Sequence, residues 1–581
     1  MKRYFKYVKP YKKFFILGPL CMIVESVGEV IVPLLLRLIT ERIISPSQTG
    51  ADIRYIMCIF LCMVVLALIM MAGGVGGAYF GAKASVNFAA DLRSDIYKKV
   101  QKFSFANIDK FSTGSLVTRL TNDVTQLQNF VNILVRMCLR APIMLIGALV
   151  MAVSLNLELS ATVAFSVPLI IIVQAVIIRI GFTRFSNMQK KIDALNSTVQ
   201  ENVTNVRVVK SFVREDFEKE KFHNANSSLK KAGKRAMGVM IFMHPVMMII
   251  MNVTTLGVIV IGSRLILGGS MLDSATLATF ITYINQILLS LMFMTMIFMN
   301  SSRALASAKR ISDVLDEKID ITDDAASNKD ALVTLGRIEF KNVYYKYYKN
   351  SNEYVLKNIN LTIPEGTAVG IVGSTGCGKT TLVSMIARLY DVDEGEVLVD
   401  GINVRDYSLY NLREGVGMVL QKNVLFTGTI RENLLWGNQN ASEEEIEASC
   451  KNAEAHKFIT SFTDGYNRML GQGGAGVSGG QKQRLCIART LIKKPKIIIL
   501  DDSTSAVDTA TEAMIRKALR DDAGDCTKII IAQRITSVMD ADMIVVMNEG
   551  EITGIGTHSE LIKSNKEYQE IYYSQTDKEA Q

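Results

Sequence analysis

Six long apolar runs set the first limit on how this chain can fold. They lie at 14–36, 55–80, 133–155, 160–181, 238–263 and 275–299. Each is near the ~20 residues that carry a helix across the hydrocarbon core of a bilayer. In lipid every backbone N–H and C=O must be satisfied internally, so runs of this length predict helices. An even number of crossings returns both chain ends to one side. Connections after the first, third and fifth runs are short. Those after the second and fourth are long and rich in Lys and Arg, among them Lys98, Lys99, Arg119, Lys190, Arg207 and Lys231. Basic flanks mark the cytoplasmic side, which predicts cytoplasmic termini and two long cytoplasmic loops. Within 88–111, 116–134 and 192–222 apolar residues recur at i, i+3 and i+4. Spans are therefore expected to continue as helices past the membrane, reversing near 105–115 and 210–217.

Composition adds that the chain has two unlike halves. Of 581 residues 49% are hydrophobic, yet 21% are charged. The stretch 316–335 is polar and acidic, and from 336 onward strand-like and helix-like segments alternate. The division expected is a membrane domain at 1–315, a linker at 316–335 and a soluble α/β domain at 336–581. The net charge is +9, but the basic residues flank apolar runs instead of forming a stripe interleaved with aromatics, which excludes a nucleic-acid partner. Eight scattered cysteines show neither zinc nor disulfide spacing and fit a reducing compartment for the soluble half. The basic, amphipathic N-terminus has no small-residue cleavage site, so it does not read as a removable signal.

The soluble half holds the chemistry. Gly373, Ser374, Thr375, Gly376, Cys377, Gly378, Lys379 and Thr380 form G-x-x-x-x-G-K-[ST]. A buried strand precedes them and a helix opening at Thr381 follows, the context this phosphate loop needs. Its glycines let successive N–H groups point inward at phosphate oxygens, at a helix N-terminus that favours anions. Lys379 would neutralise the β and γ phosphates of ATP, and the Thr380 hydroxyl would ligate Mg²⁺. Residues 497–500 are an apolar run ending in Asp501, placed to hold Mg²⁺ or its water at a strand's carboxyl edge. Between these motifs Val477, Ser478, Gly479, Gly480 and Gln481 open a further helix.

With this ordered set the chain resembles a half-transporter of the ATP-binding-cassette (ABC) exporters over essentially its full length. The resemblance implies the type I exporter fold: an all-α six-helix transmembrane domain followed by an α/β P-loop nucleotide-binding domain. It implies that Tyr347 stacks on adenine and that Gln421 lies near Mg²⁺ and the attacking water. It also implies that 477–481 is the signature loop serving a partner's ATP, and that Asp508 is the acid of the following loop. The resemblance further implies that two such domains close head to tail around ATP, and that the loop tips near 105–115 and 210–217 would transmit the closure. Six spans exclude the soluble DNA-repair enzymes that share the signature loop.

The chain departs from the family pattern where the γ-phosphate would lie. Asp502 stands where the family has a Glu that polarises water, about 1.5 Å shorter in reach. Gln533 stands where the family has a switch His, and none of the four histidines is nearby in sequence. Gly471, Gln472, Gly473 and Gly474 replace the Glu and Arg usual before the signature. The binding residues are intact. The expectation is a heterodimer with a second, non-identical half-transporter, in which this chain's site is degenerate and its ATPase impaired. By resemblance to heterodimeric bacterial multidrug exporters it would export small amphipathic molecules or drugs across the cytoplasmic membrane. A lipid or peptide cargo, a homodimer and an ATP-gated channel stand beside that reading.

Inside the spans Glu25 and Glu29 share one helix face, as do Arg136 and Arg140, while Asn285 and Gln286 lie in the sixth run. Such groups face an aqueous cavity or one another. A substrate cavity lined by Glu25, Glu29, Asn285 and Met292, in runs rich in adaptable methionine, and a structural Glu–Arg pairing are both open from the sequence.

Overall fold

A computed structural model describes all residues except Met1, 45–52, 269–272, 325, 350, 352, 503–507, 523–524 and 580–581. It comprises two units. One is Met1–Gln101 with Gly114–Asp316, the other Lys102–Thr113 with Glu317–Gln581.

Among the described residues six helices are long and apolar enough to cross a membrane: Phe5–Ile43, Ile53–Gln101, Thr113–Leu155, Leu157–Thr204, Glu215–Leu267 and Ser274–Ile297. The first five contain their apolar runs whole, and the sixth covers its run as far as Ile297. At about 1.5 Å per residue the 49 residues of Ile53–Gln101 reach roughly 70 Å, more than twice the bilayer core. The spans do continue as helices beyond the membrane. Leu157–Thr204 turns back through Val206–Ser211 into Glu215–Leu267, within and just before the expected reversal.

The helices of the first unit approach closely where side chains are small. A Cβ on Gly73 would lie 2.8 Å from the Cys21 carbonyl oxygen, so a larger residue there would push the two helices apart. Ala148, Ala152, Phe280, Tyr283, Ile284 and Ile287 fill the core nearby, and the Tyr283 hydroxyl donates to the Val30 carbonyl over 2.8 Å. Toward the loops, buried Asp123 pairs with Arg310 and accepts from Ser307 at 2.8 Å. The apolar window of Ile53–Gln101 is only 11% buried within the chain, against 44% for Ser274–Ile297. Surface left open in that way is covered by lipid or by helices of another chain.

Among the described residues the second unit has twelve strands: β1 Ile338–Tyr345, β2 Leu356–Ile363, β3 Ala368–Gly373, β4 Glu394–Val399, β5 Ile402–Asn403, β6 Val416–Val419, β7 Gly428–Thr429, β8 Met469–Leu470, β9 Ile497–Asp501, β10 Thr527–Ile531, β11 Met543–Asn548 and β12 Glu551–Gly556. A six-stranded sheet has the order β12-β11-β3-β10-β9-β6, a four-stranded sheet β2-β1-β4-β5, and β7 pairs with β8. In the large sheet β3, β6, β9, β10 and β11 are parallel, and β12 is antiparallel at its edge. Successive residues of β9 serve opposite faces. Ile497 and Ile499 pack with Leu382 and Met385 on one side, and Ile498 and Leu500 with Leu485 and Ile487 on the other. Helices thus cover both faces, which is why β9 reads as a continuous apolar run.

The short helix Phe105–Lys110 is part of this unit. Ser104 caps it, Asn107 donates to the Lys318 carbonyl at 2.9 Å, and Lys110 pairs with Glu317 at 2.7 Å. The Tyr390 hydroxyl donates to Asp109 at 2.8 Å.

Candidate functional site

Register brings the site together. In the parallel ladder Ile531 of β10 lies opposite Asp501 of β9 on one side and Ile371 of β3 on the other. The loops leaving β3, β10 and β9 therefore emerge at one carboxyl edge, where open α/β sheets bind ligands.

After β3 the chain curls. Gly373 has φ +153°, and a Cβ there would sit 2.1 Å from the Met547 carbonyl oxygen, so no other residue fits. Gly378 (φ +100°) then caps the helix Lys379–Ile386. The Lys379 ammonium donates to the carbonyls of Gly373 at 2.9 Å and Ser374 at 2.8 Å. A cation held at a glycine-rich loop that leads into a helix N-terminus is suited to cradle phosphate. Cys377 within the loop is buried.

Asp501 ends β9 fully buried. Its Oδ1 accepts from the Thr380 hydroxyl at 2.9 Å, whereas its buried Oδ2 has no hydrogen-bond partner. An orphaned carboxylate oxygen beside a hydroxyl is a hard-oxygen donor set with a place for a divalent cation, and Mg²⁺ fits it. Burial pushes the Asp501 carboxyl above its ordinary 3.8, with the Thr380 hydrogen bond opposing.

Asp502 leaves the strand with φ +48°, its N–H donating to the Ile531 carbonyl at 3.0 Å. That turn aims its carboxylate at the loop after β10. Gln533 Nε2 donates to Asp502 Oδ2 at 2.8 Å, and Gln421 Nε2 reaches the same oxygen at 3.5 Å. Burial raises the Asp502 carboxyl, while the two amides lower it. Gln421, expected beside Mg²⁺, thus turns its amide toward Asp502 and not Asp501.

A residue that the sequence did not mark holds the loop after β10. Gln575, on the C-terminal helix Lys566–Glu579, donates to the Gln533 carbonyl at 2.8 Å and accepts from the Ile535 N–H at 2.8 Å. Nothing in the local sequence marks it, because a lone Gln on a polar helix carries no pattern.

Tyr347 is half-exposed, and its hydroxyl hydrogen-bonds that of Thr381 at 2.9 Å. Its ring packs edge-on against Tyr345 and Tyr390, with centroids 5.1 and 5.4 Å apart. Tyr390 in turn touches Phe105 and Asp109, so a string of aromatic contacts runs from Thr381, just after the phosphate loop, to the helix Phe105–Lys110. Burial and the Asp109 carboxylate both raise the Tyr390 hydroxyl well above its ordinary value.

The loop at 477–481 is presented on its own helix. Ser478 caps Gly479–Ile492 through a reciprocal box, its Oγ accepting from the Gln481 N–H at 3.3 Å and its N–H donating to Gln481 Oε1 at 2.9 Å. Gly479 stays exposed, Gly480 and Val477 are half-buried, and Lys482 donates to the Gly473 carbonyl at 2.9 Å. Among the described residues no hydrogen bond joins this loop to the phosphate loop of the same chain. Asp508 accepts from the Thr511 N–H at 2.9 Å at the start of Thr509–Asp522. Residues 505–507 of its loop lie outside the described residues.

In the spans Arg140 bridges Glu25 at 3.2 Å and Glu29 at 2.5 Å. Gln286 donates to the Glu29 carbonyl at 2.8 Å. The two acids are thus drawn together by a cation. Asn285 and Met292 are half-buried and make no hydrogen bond to that group.

Residues 15–291 match the family described as ABC transporter transmembrane region, and residues 356–505 the family described as ABC transporter. The chain is similar to YfiB of Bacillus subtilis, an uncharacterised ABC transporter ATP-binding protein, at 36% identity across 100% of this chain and 99% of that one. YgaD of the same organism, a putative multidrug export ATP-binding/permease protein, is 32% identical across 98% of each. The fold is similar to that of a bacterial Atm1-family ABC exporter with ATP bound, at TM-score 0.78 and 23% identity over 97% of this chain and 98% of that one.

Proposed function

The chain belongs to the ABC transporter family, as a multi-pass exporter half-transporter whose ATP-binding domain drives transport, and on that premise we propose that it is the ATP-gripping, slowly cutting member of a heterodimer. The observation that carries this reading is the Asp502–Gln533 contact, a short carboxylate whose Oδ2 is engaged by a carboxamide. Hydrolysis needs a group that orients and polarises the attacking water, and a donor that stabilises charge on the phosphoryl oxygens. Asp502 reaches about 1.5 Å less far than Glu, and a misplacement near 1 Å costs on the order of a hundredfold in rate. Gln533 donates a neutral hydrogen bond but carries no proton to pass on.

Binding is supported independently. Lys379 and the amides of 373–378 would hold the phosphates and Tyr347 the adenine. Mg²⁺, held by Thr380 and Asp501 with Gln421 close by, would neutralise charge on the phosphate oxygens. The capped loop 477–481 would complete the site of a partner carrying Glu and His. The cargo proposed is small amphipathic molecules, a reading supported by the likeness to a putative multidrug exporter. The membrane proposed is the bacterial cytoplasmic membrane, with nucleotide-binding domain and termini inside, as the basic loops favour. The test is ATP turnover of the purified chain alone against the chain assembled with a second half-transporter. The expected result is slow turnover alone and fast turnover together, and equal rates would overturn the heterodimer.

A further inference from the structure

We propose that the helix pair Leu157–Thr204 and Glu215–Leu267 carries a binding site for the phosphodiester headgroup of an anionic phospholipid. The two helices pack on each other, with Gly181, Ala232 and Ala236 buried. Beside them opens a cavity of about 690 Å³ whose lining includes Arg184, Lys190, Arg235, Ser186, Asn187 and Phe182, and no acidic residue.

Three observations give this cavity its chemistry. The first is uncompensated charge. Residues 179–191 and 230–235 hold eight Lys and Arg and no Asp or Glu. Farther along the same helices cations find acids, as in Lys221–Glu201 and Lys219–Asp216, each at 2.8 Å. Among the described residues Arg184, Lys190 and Arg235 have no ion-pair partner. The second is hydrogen-bonding capacity. The Ser186 hydroxyl and the Asn187 amide make no hydrogen bond among the described residues, so both are available to an oxyanion. Guanidinium forks match phosphate oxygens.

The third is depth. With the apolar runs ending near 181 and resuming near 238, Arg184 and Arg235 would lie about three residues, roughly 4.5 Å, beyond the hydrocarbon. That is within the headgroup layer, roughly 5–8 Å thick on each side. Lys190 lies farther out, and its long stem reaches back. Phe182, 73% exposed, stands at the apolar boundary where acyl chains begin. Basic pockets between membrane helices bind anionic headgroups in this manner. Free phosphate shares the chemistry but not the depth. The site depends on the membrane spans and not on the heterodimer.

The test uses the assembled, delipidated transporter in neutral detergent, titrated with phosphatidylglycerol, phosphatidylcholine or inorganic phosphate at matched ionic strength. Retained lipid is counted by native mass spectrometry and Tm is followed. Phosphatidylglycerol is expected to be retained and to raise Tm, with phosphatidylcholine and free phosphate inert. R184Q/K190Q/R235Q is expected to weaken retention about tenfold, and R184K/R235K to keep most of it. The control K451Q/K494Q/K563Q, of equal charge loss in the second unit, is expected to retain phosphatidylglycerol fully. Equal retention by the cavity variant, equal loss in the control, or protection by free phosphate as strong as by phosphatidylglycerol would each overturn the proposal.

Discussion

The side-chain amide of Gln533 donates to Oδ2 of Asp502 over 2.8 Å. A carboxylate held in this way accepts less readily from a water. Replacing the pair by D502E/Q533H supplies the longer acid and an imidazole together. Phosphate release at this site is expected to rise on the order of ten- to a hundredfold, with ATP affinity little changed. Single-turnover measurement, in a dimer whose other site is disabled, reads this directly. No gain in the double variant would show that the defect lies elsewhere.

Gln575 holds the loop after β10 through both ends of one amide. Gln575→Leu removes two hydrogen bonds, each contributing about 0.5–1.5 kcal/mol. Hydrogen exchange at 533–537 is expected to quicken while distant strands keep their protection. Gln575→Glu, which still accepts from Ile535, should fall between. Unchanged exchange in Gln575→Leu would rule out the clamp.

Asp501 carries a pH signature. Its folded carboxyl titrates above its ordinary 3.8 because it is buried. The folded state therefore binds the proton more tightly than the unfolded chain does. The stability this contributes is complete below about 3.8 and is lost as pH rises through the folded value. At neutral pH and without nucleotide, Asp501→Asn is expected to raise Tm, or leave it unchanged, and to flatten that acid limb. The same variant should abolish the rise in Tm produced by Mg-ATP, because the orphaned oxygen is gone. A lower nucleotide-free Tm would contradict the burial argument.

Arg140 answers two carboxylates. Arg140→Leu leaves both acids without their cation and is expected to cost about 3–5 kcal/mol, read as a large loss of Tm in detergent. The charge-free E25Q/E29Q/R140M should recover most of it. If that variant also transports normally, the group is a structural pairing. If it folds but loses transport of cationic amphiphiles alone, the acids contact cargo.

Tyr390 and Asp109 share one hydrogen bond. Tyr390→Phe and Asp109→Asn are each expected to lower transport per ATP hydrolysed, and the double variant to do no worse than either single one. Additive losses would mean that the contact does not carry the coupling.

The sequence by itself determined the six crossings, the α/β half, the phosphate loop and the helix-opening loop at 477–481. Each is written in contiguous residues, as an apolar length, a glycine spacing or a strand ending in acid, and local physics suffices to read it. Only the tertiary structure decided who meets whom. Gln575 reaches Gln533 across 42 positions, Arg140 reaches Glu29 across 111, and Tyr390 reaches Asp109 across 281. Such pairs depend on strand register and helix crossing. A shift of one residue in β10 against β9 would send Gln533 away from Asp502 and leave every local pattern unchanged.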